Sequence, residues 1–541
     1  MKNIILILIL LQTSFGYAQQ KYLILFTDKA DSPFSVNSPQ DFLSTRSIER
    51  REKQGISVTE HDLPVNPSYV ANLNSNGFQV LYTSKWFNAA LVSIPSSELE
   101  NVLSMPFVKG VEGVSRNGLE DASGGTLSAV KSMPYVPMID PGTSANQLQM
   151  LGADKMHQMN YTGKGVLIGL MDSGFSNADR LDVFRDIFRE NRVLQTFNFV
   201  KGTTDVYNNS HNHGTNVLSC IGASLDGQMV GTAPDASFAL YITENVSGET
   251  RQEEVNWLFA AEKADSLGVD IVGSSLGYSD FQGNIQDYSY ADMDGNTAII
   301  TRAADWLVSK GIVVVVSAGN EGNGAWKYVT SPADGDSVIA VAAVNSTGNY
   351  VAFSSVGPSA DGRVKPDVAA KGAGTTVART NNTISRSNGT SFSAPLIAGL
   401  VAGIKQAFPD FTAMEIRQLL LESGSQANKP DSLLGFGIPN FERVYDLAQL
   451  KTLISSTDKD VLIFPNPPEI NGNVKVLVTK DELGSEFNVS LTDVKGRSIY
   501  ENSYKRNFFE LDLSQIELPT GLYLLKVWNG LFSQTERLLI E

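Results

Sequence analysis

Four polar side chains that lie far apart in the chain each fall at the end of an apolar run or the start of one. Asp172 directly follows the run at 166–171, in Met171-Asp172-Ser173-Gly174. His213 opens a helical stretch in His211-Asn212-His213-Gly214-Thr215-Asn216, and Asn320 follows the valines at 313–316. Ser391 stands in Asn388-Gly389-Thr390-Ser391-Phe392-Ser393-Ala394-Pro395. A carboxylate, an imidazole and a hydroxyl on separate elements are the three parts of an acyl-transfer machine. The imidazole takes the serine proton, while the carboxylate holds the ring tautomer and stabilises the imidazolium that forms. The small apolar run at 396–404 predicts a buried helix with Thr390 as its N-cap, which presents the Ser391 hydroxyl beside the unpaired N–H groups of the first turn. Pro395 has no N–H to offer the Ser391 carbonyl, so that turn is expected to be irregular.

These residues need a frame that gathers strand ends. Short continuous apolar runs at 166–171, 238–242, 270–275, 313–316 and 338–342 alternate with helical stretches at 253–267 and 298–310. That is the pattern of an open α/β sheet whose parallel strands are buried on both faces, where ligands gather beyond the carboxyl ends of the strands. Lys and Arg total 42 against 58 Asp and Glu, and the net charge of −16 argues against a nucleic-acid partner. The single cysteine, Cys220, excludes an intrachain disulfide and a Cys-built metal cluster, and its apolar neighbours predict a small buried residue. His211 and His213 are separated by one residue and lack further metal ligands at a readable spacing, and His61 and His157 read as surface or packing residues.

At 541 residues the chain exceeds one core. Lys2, the apolar run at 4–11 and Gly16-Tyr17-Ala18 read as a signal peptide over 1–18, and no later stretch is long and apolar enough to span a bilayer in the mature chain. Residues 19–113 follow the order β-α-β-β-α-β of a ferredoxin-like α+β unit, with an inserted charged helix carrying Arg46, Arg50 and Arg51. Residues 114–149, rich in Gly, Ser, Pro and Met, read as a cleavable linker. The sheet domain occupies 150–450. Alternating strands with an Asn529-Gly530 turn predict a β-sandwich over 458–541.

Taken together, Asp172-Ser173-Gly174, His213-Gly214-Thr215, Ser275-Leu276-Gly277, Asn320 within Ala318-Gly319-Asn320-Glu321-Gly322, Phe353-Ser354-Ser355-Val356-Gly357-Pro358, Lys365-Pro366-Asp367-Val368-Ala369 and Gly389-Thr390-Ser391-Phe392-Ser393-Ala394-Pro395 resemble a subtilisin-like serine peptidase, in the family's order Asp, His, Ser. The resemblance implies that Asp172 orients the ring, His213 is general base and then acid, and Ser391 is the nucleophile. Asn320 and the Ser391 N–H would form the oxyanion hole. Ser275, Leu276 and Gly277 would pair with an extended protein or peptide substrate, and Ala318 and Gly319 would leave a side-chain pocket open. Glu321 beside that pocket would favour a basic substrate side chain. Two departures stand out: Asn216 replaces a frequent second histidine, and Ala370-Lys371-Gly372 replaces a Pro-Gly continuation.

The same resemblance implies that the N-terminal unit is a propeptide acting as an intramolecular inhibitor of a zymogen, and that a secreted serine endopeptidase results. The alternative is a noncatalytic surface or binding protein on the same fold. No cofactor is expected. The stretch Asp292-Met293-Asp294-Gly295-Asn296 fails as a calcium loop because Tyr290 and Thr301 would take the first and twelfth positions, and reads as a polar helix entrance at Thr297. Calcium on backbone carbonyls stays possible and unassigned. The C-terminal sandwich, with Pro465-Asn466-Pro467 and Leu518-Pro519-Thr520-Gly521-Leu522-Tyr523, resembles the sorting domain of type IX secretion, which implies the secretion machinery as a partner and an extracellular or cell-surface address.

Overall fold

The computed structural model describes residues 19–116 and 140–540, apart from short stretches at 209–210, 283–286, 456–458, 465, 469–473, 480–485, 506–507, 514–515 and 517. The expected signal peptide and most of the expected linker lie outside the described residues. Two compact units are present, dividing at Asp446 and Leu447.

In the first unit, strands β1 (Gln19–Phe26), β2 (Gln79–Ser84), β3 (Ala89–Pro95) and β4 (Val108–Arg116) form an antiparallel sheet in the order β2-β3-β1-β4. Helices α2 (Pro67–Ser75) and α3 (Leu99–Leu103) complete the ferredoxin-like arrangement, and α1 (Thr45–Lys53) is the inserted charged helix. Residues 140–149 do not behave as linker: α4 (Ala145–Met150) is built into the sheet domain, where Gln147 Nε2 donates to the Thr376 carbonyl at 3.3 Å and its Oε1 accepts from Thr376 N at 2.8 Å. A side chain that completes a backbone pair at both ends fixes a segment whose composition alone reads as loose.

The central sheet is parallel and seven-stranded: β5 (Leu167–Asp172), β6 (Val193–Asn198), β7 (Ser237–Ile242), β8 (Ile271–Ser274), β9 (Val313–Ser317), β10 (Ile339–Val344) and β11 (Val368–Lys371), in the order β11-β10-β9-β8-β5-β7-β6. Strands β5, β9 and β10 are buried at every residue, as their unbroken apolar runs require when helices cover both faces. Helices α5 (His213–Gly222), α6 (Arg251–Leu267), α7 (Ile299–Ser309) and α8 (Thr390–Ala407) flank it.

The N-terminal domain docks on α6 and α7, and charge does much of the holding. Glu262 of α6 accepts from Ser84 Oγ at 2.5 Å, Lys85 N at 2.9 Å and Trp86 N at 3.2 Å. Asp265, with no exposed side-chain surface, meets Arg50 at 2.7 Å, Arg51 at 2.8 Å and Lys85 at 2.8 Å. Burial alone would raise its pKa, but the three cations outweigh it and hold the carboxyl well below the usual range. Arg50 also donates to the Val269 carbonyl at 2.8 Å and the Lys310 carbonyl at 3.1 Å, satisfying orphan acceptors just past the ends of α6 and α7.

His61 lies in the same interface, 4.8 Å from Trp306 between ring centroids. Burial, then Lys310 and Lys29, lower its pKa to about 4 against the opposing pull of Asp62 and the Trp86 backbone. A histidine held neutral this way contributes stability that is present above its ordinary value of about 6.5 and is lost as the pH falls toward 4, because the unfolded chain binds the proton sooner. A Ser391→Ala chain is therefore expected to lose melting temperature between about pH 7 and pH 4.5. Adding His61→Phe should reduce that loss, and equal losses in both chains would refute the assignment.

The second unit is the expected sandwich. Strands β12 (Val461–Phe464), β13 (Val474–Val478) and β16 (Phe508–Leu511) form one sheet, ordered β12-β13-β16. Strands β14 (Phe487–Asp493), β15 (Ser498–Tyr504), β17 (Gly521–Trp528) and β18 (Ser533–Ile540) form the other, ordered β15-β14-β17-β18. Val476, Leu511, Val489, Leu525 and Leu538 from the two sheets share one core.

Candidate active site

The last residue of β5 and the first of α5 meet. His213 Nδ1 lies 2.9 Å from Asp172 Oδ1 and 3.0 Å from Oδ2. Asp172 is buried, and its Oδ1 also accepts from Ser173 N at 2.7 Å and Ser173 Oγ at 3.1 Å, so the carboxylate cannot rotate away. The close approach of α5 to β5 depends on Gly214, since a Cβ there would stand 2.7 Å from the Gly174 carbonyl oxygen and 3.0 Å from Asp172 Cβ. Burial disfavours a charged ring at His213, but Asp172 outweighs it and the pKa is raised. His211 Nδ1 is 2.5 Å from Ser173 Oγ.

Ser391 is the second residue of α8 and is buried. The cap position falls on Gly389, not on Thr390 as expected. Thr390 enters the first turn because its polar groups are used elsewhere: Thr390 N donates to Asn320 Oδ1 at 2.9 Å, and Oγ1 reaches the Gly319 carbonyl and Asn320 Oδ1, each at 3.1 Å. With Asn320 Oδ1 committed, its NH₂ is the end left for a substrate oxygen. The irregularity expected from Pro395 is real and occupied, since Ser275 Oγ donates to the Ser391 carbonyl at 2.9 Å. The Ser391 hydroxyl itself donates to the Ser275 carbonyl at 3.5 Å, a long contact, and is not hydrogen-bonded to His213 here. The neighbouring Phe392 ring lies 5.7 Å from the His213 ring, and catalytic hydrogen bonds are often long or unformed before substrate binds.

A recess of about 410 Å³ opens beside His213, lined by Ser275, Leu276, Gly277, Glu244, Glu249 and Glu253 among others. Sequence reasoning missed the three glutamates, although Thr250 and Glu253 carry a readable T-x-x-E signature and form a capping box at the start of α6. Burial lifts Glu244 well above the carboxylate range and Glu253 to about 7, so the recess is less anionic at neutral pH than its composition suggests. Glu321 is exposed, with Oε2 3.1 Å from where a Cβ on Gly324 would stand.

The remaining motif residues are structural. Asp367 pairs with Lys365 at 2.8 Å and Arg417 at 2.5 Å and accepts from Ala340 N at 2.8 Å, pinning β10. Where the sequence departs at Ala370-Lys371-Gly372, β11 runs to Lys371 and the Gly372 carbonyl accepts from Gly389 N at 2.9 Å, anchoring the nucleophile loop. Asn216 is buried, with its amide against Ala378 and Arg379. Asp294 caps Asn296 N and Thr297 N, both at 2.8 Å, which is the polar entrance expected there. Cys220 is buried, and burial raises its thiol pKa. Among the described residues, no group of three or more His, Cys, Asp or Glu is placed to hold a metal ion.

Residues 163–437 match the Subtilase family, and this chain belongs to it. Residues 21–126 match the Peptidase S8 propeptide domain of Bacteroidota, and residues 462–541 match a Secretion system C-terminal sorting domain. The chain is thus a subtilase made with a propeptide and bearing a sorting domain that assigns it to export or the cell surface. It is 32% identical to Subtilisin DY of Bacillus licheniformis over 300 residues, covering 54% of this chain and 96% of that one. It is 29% identical to Subtilisin E of Bacillus subtilis over 352 residues, covering 64% and 78%. Among solved structures, MycP1 from the ESX-1 type VII secretion system aligns with a TM-score of 0.46 at 21% identity, covering 58% of this chain and 88% of that one.

Proposed function

We propose that the chain is a serine endopeptidase working through an acyl-enzyme. Ser391 Oγ attacks the scissile carbonyl carbon as His213 takes its proton, and the carbonyl oxygen, now anionic, accepts from Asn320 NH₂ and the Ser391 N–H. His213 then protonates the leaving amine, and water reverses the sequence on the ester. The contact between Asp172 and His213 at 2.9 Å carries this reading, because a binding module has no use for an imidazole held in one tautomer by a clamped carboxylate. Nucleophile, base and oxyanion donor are all supplied by the chain, so we infer no cofactor for the chemical step. The N-terminal domain, docked on α6 and α7, would serve as the inhibitor of the zymogen, and the sandwich as the address read by the secretion machinery.

Labelling by a serine-directed phosphonate after removal of the N-terminal domain tests the reading, with Ser391→Ala as control. An unlabelled wild-type chain would reject it in favour of a noncatalytic surface protein. Asn320→Ala is expected to lower kcat by about 10²–10³ with little change in KM, a magnitude borrowed from the same donor in subtilisin. Unchanged kcat would remove Asn320 from the oxyanion hole.

A further inference from the structure

The inserted helix α1 reaches the end of the sheet opposite the catalytic residues, where β5 and β8 begin. Arg46 donates from Nε to the Gly268 carbonyl and from Nη2 to the Gly165 carbonyl, both at 2.9 Å, and pairs with Asp270. Between α1, these strand entrances and the last turn of α8 lies a cavity of about 250 Å³.

Its walls are cationic, in a chain whose net charge is −16. Arg46, Arg50 and Lys53 come from α1, and Lys164 and Lys405 from the sheet domain, against two carboxylates, Glu49 and Asp270. Asp270 is taken by Arg46, and Arg50 by Asp265. Lys405 is 8% exposed, and among the described residues no carboxylate makes an ion pair with it. Its ammonium has three protons to donate, and the hydrogen bond it makes is a long one, 3.4 Å to the Phe411 carbonyl. Burial lowers its pKa, and Asp270 opposes that from beyond ion-pair contact. Arg50, Lys53 and Arg46 add to the lowering, so like charges crowd this one ammonium. A buried charge is costly without a counter-ion, and this one stands at a space large enough to hold an anion.

We propose that the cavity binds a free tetrahedral oxyanion carrying two negative charges, phosphate or sulfate, with Lys405 as its buried partner. Lys53 and Lys164, both exposed, add attraction that salt screens, whereas the contact with Lys405 is sheltered from water and correspondingly strong. Because α1 and the sheet domain each supply part of the shell, a bound ion ties the N-terminal domain to the domain it covers. The site stands whether or not the chain is a peptidase.

The test is made on the full chain carrying Ser391→Ala, to keep both domains on one polypeptide. Titration calorimetry with sodium phosphate at about pH 8, where phosphate is a dianion, should give one ion per chain. Saturating phosphate should raise the melting temperature by at least about 2 °C over sodium chloride of equal ionic strength. Lys405→Met keeps the apolar stem and removes the charge, and should bind phosphate at least about 10-fold more weakly. Should that variant fail to fold, Lys53→Gln reads the same affinity from the exposed side, with a smaller loss of about 3-fold. The series is repeated with sodium sulfate, and a shift that the variants reduce supports the site with either ion. Equal melting in phosphate, sulfate and chloride, or a shift of the same size in parent and variants, as general salting-out would produce, overturns the proposal. Several weak sites per chain would show an adventitious ion only and overturn it too.

Discussion

Ser391→Ala is expected to lower kcat for peptide hydrolysis by about 10⁶-fold, the loss found on removing the nucleophile of subtilisin and carried over from there. Neither Ser393 nor Ser275 is free to take its place. Ser393 Oγ donates to the Thr390 carbonyl at 2.9 Å and Ser275 Oγ to the Ser391 carbonyl, so both nearby serines are committed to holding the first turn of α8. If processing is performed by the chain on itself, the variant also accumulates with its N-terminal domain attached, and the unprocessed band reports the loss directly. Mature termini together with retained hydrolysis in this variant would show that some other group attacks.

Asp172→Asn should cost about 10⁴-fold in kcat while leaving the fold intact, because the amide keeps the shape and reverses the hydrogen bonding that fixes the His213 tautomer. Its pH signature separates it from a merely weakened site. His213 must be neutral to accept the serine proton, and its folded pKa lies above the ordinary value through Asp172. In wild type, kcat/KM therefore falls as the pH drops through that raised value. Removing the negative charge takes away the raising influence, so the acid limb of the residual activity should move to lower pH. An acid limb that stays in place would mean that another group governs it.

The parallel strands and the residues at their ends were legible because each run is continuous, and a run such as the valines of β9 admits few readings. The ferredoxin-like order was legible for the same reason. The insertion of α1 was visible, but its purpose was not: Arg50 and Arg51 look like a solvated face until Asp265, more than two hundred positions away, meets them in the fold. Thr390 was read as a cap on local propensity, and tertiary bonds to Gly319 and Asn320 overrode it. Composition made a linker of residues 140–149, yet half of them lie in α4, held in place by the pairing of Gln147 with Thr376.

The grip of α1 on Asp265 has a consequence for timing. While one chain joins the two domains, the inhibitor's effective concentration is set by the tether; once a cut severs them, its return becomes a second-order encounter. Dilution outside the cell would then act as a clock, slow where the protein is crowded at its point of release and fast in open medium. Three cations seeking one carboxylate make that encounter sensitive to ionic strength, so brine would start the clock sooner than fresh water.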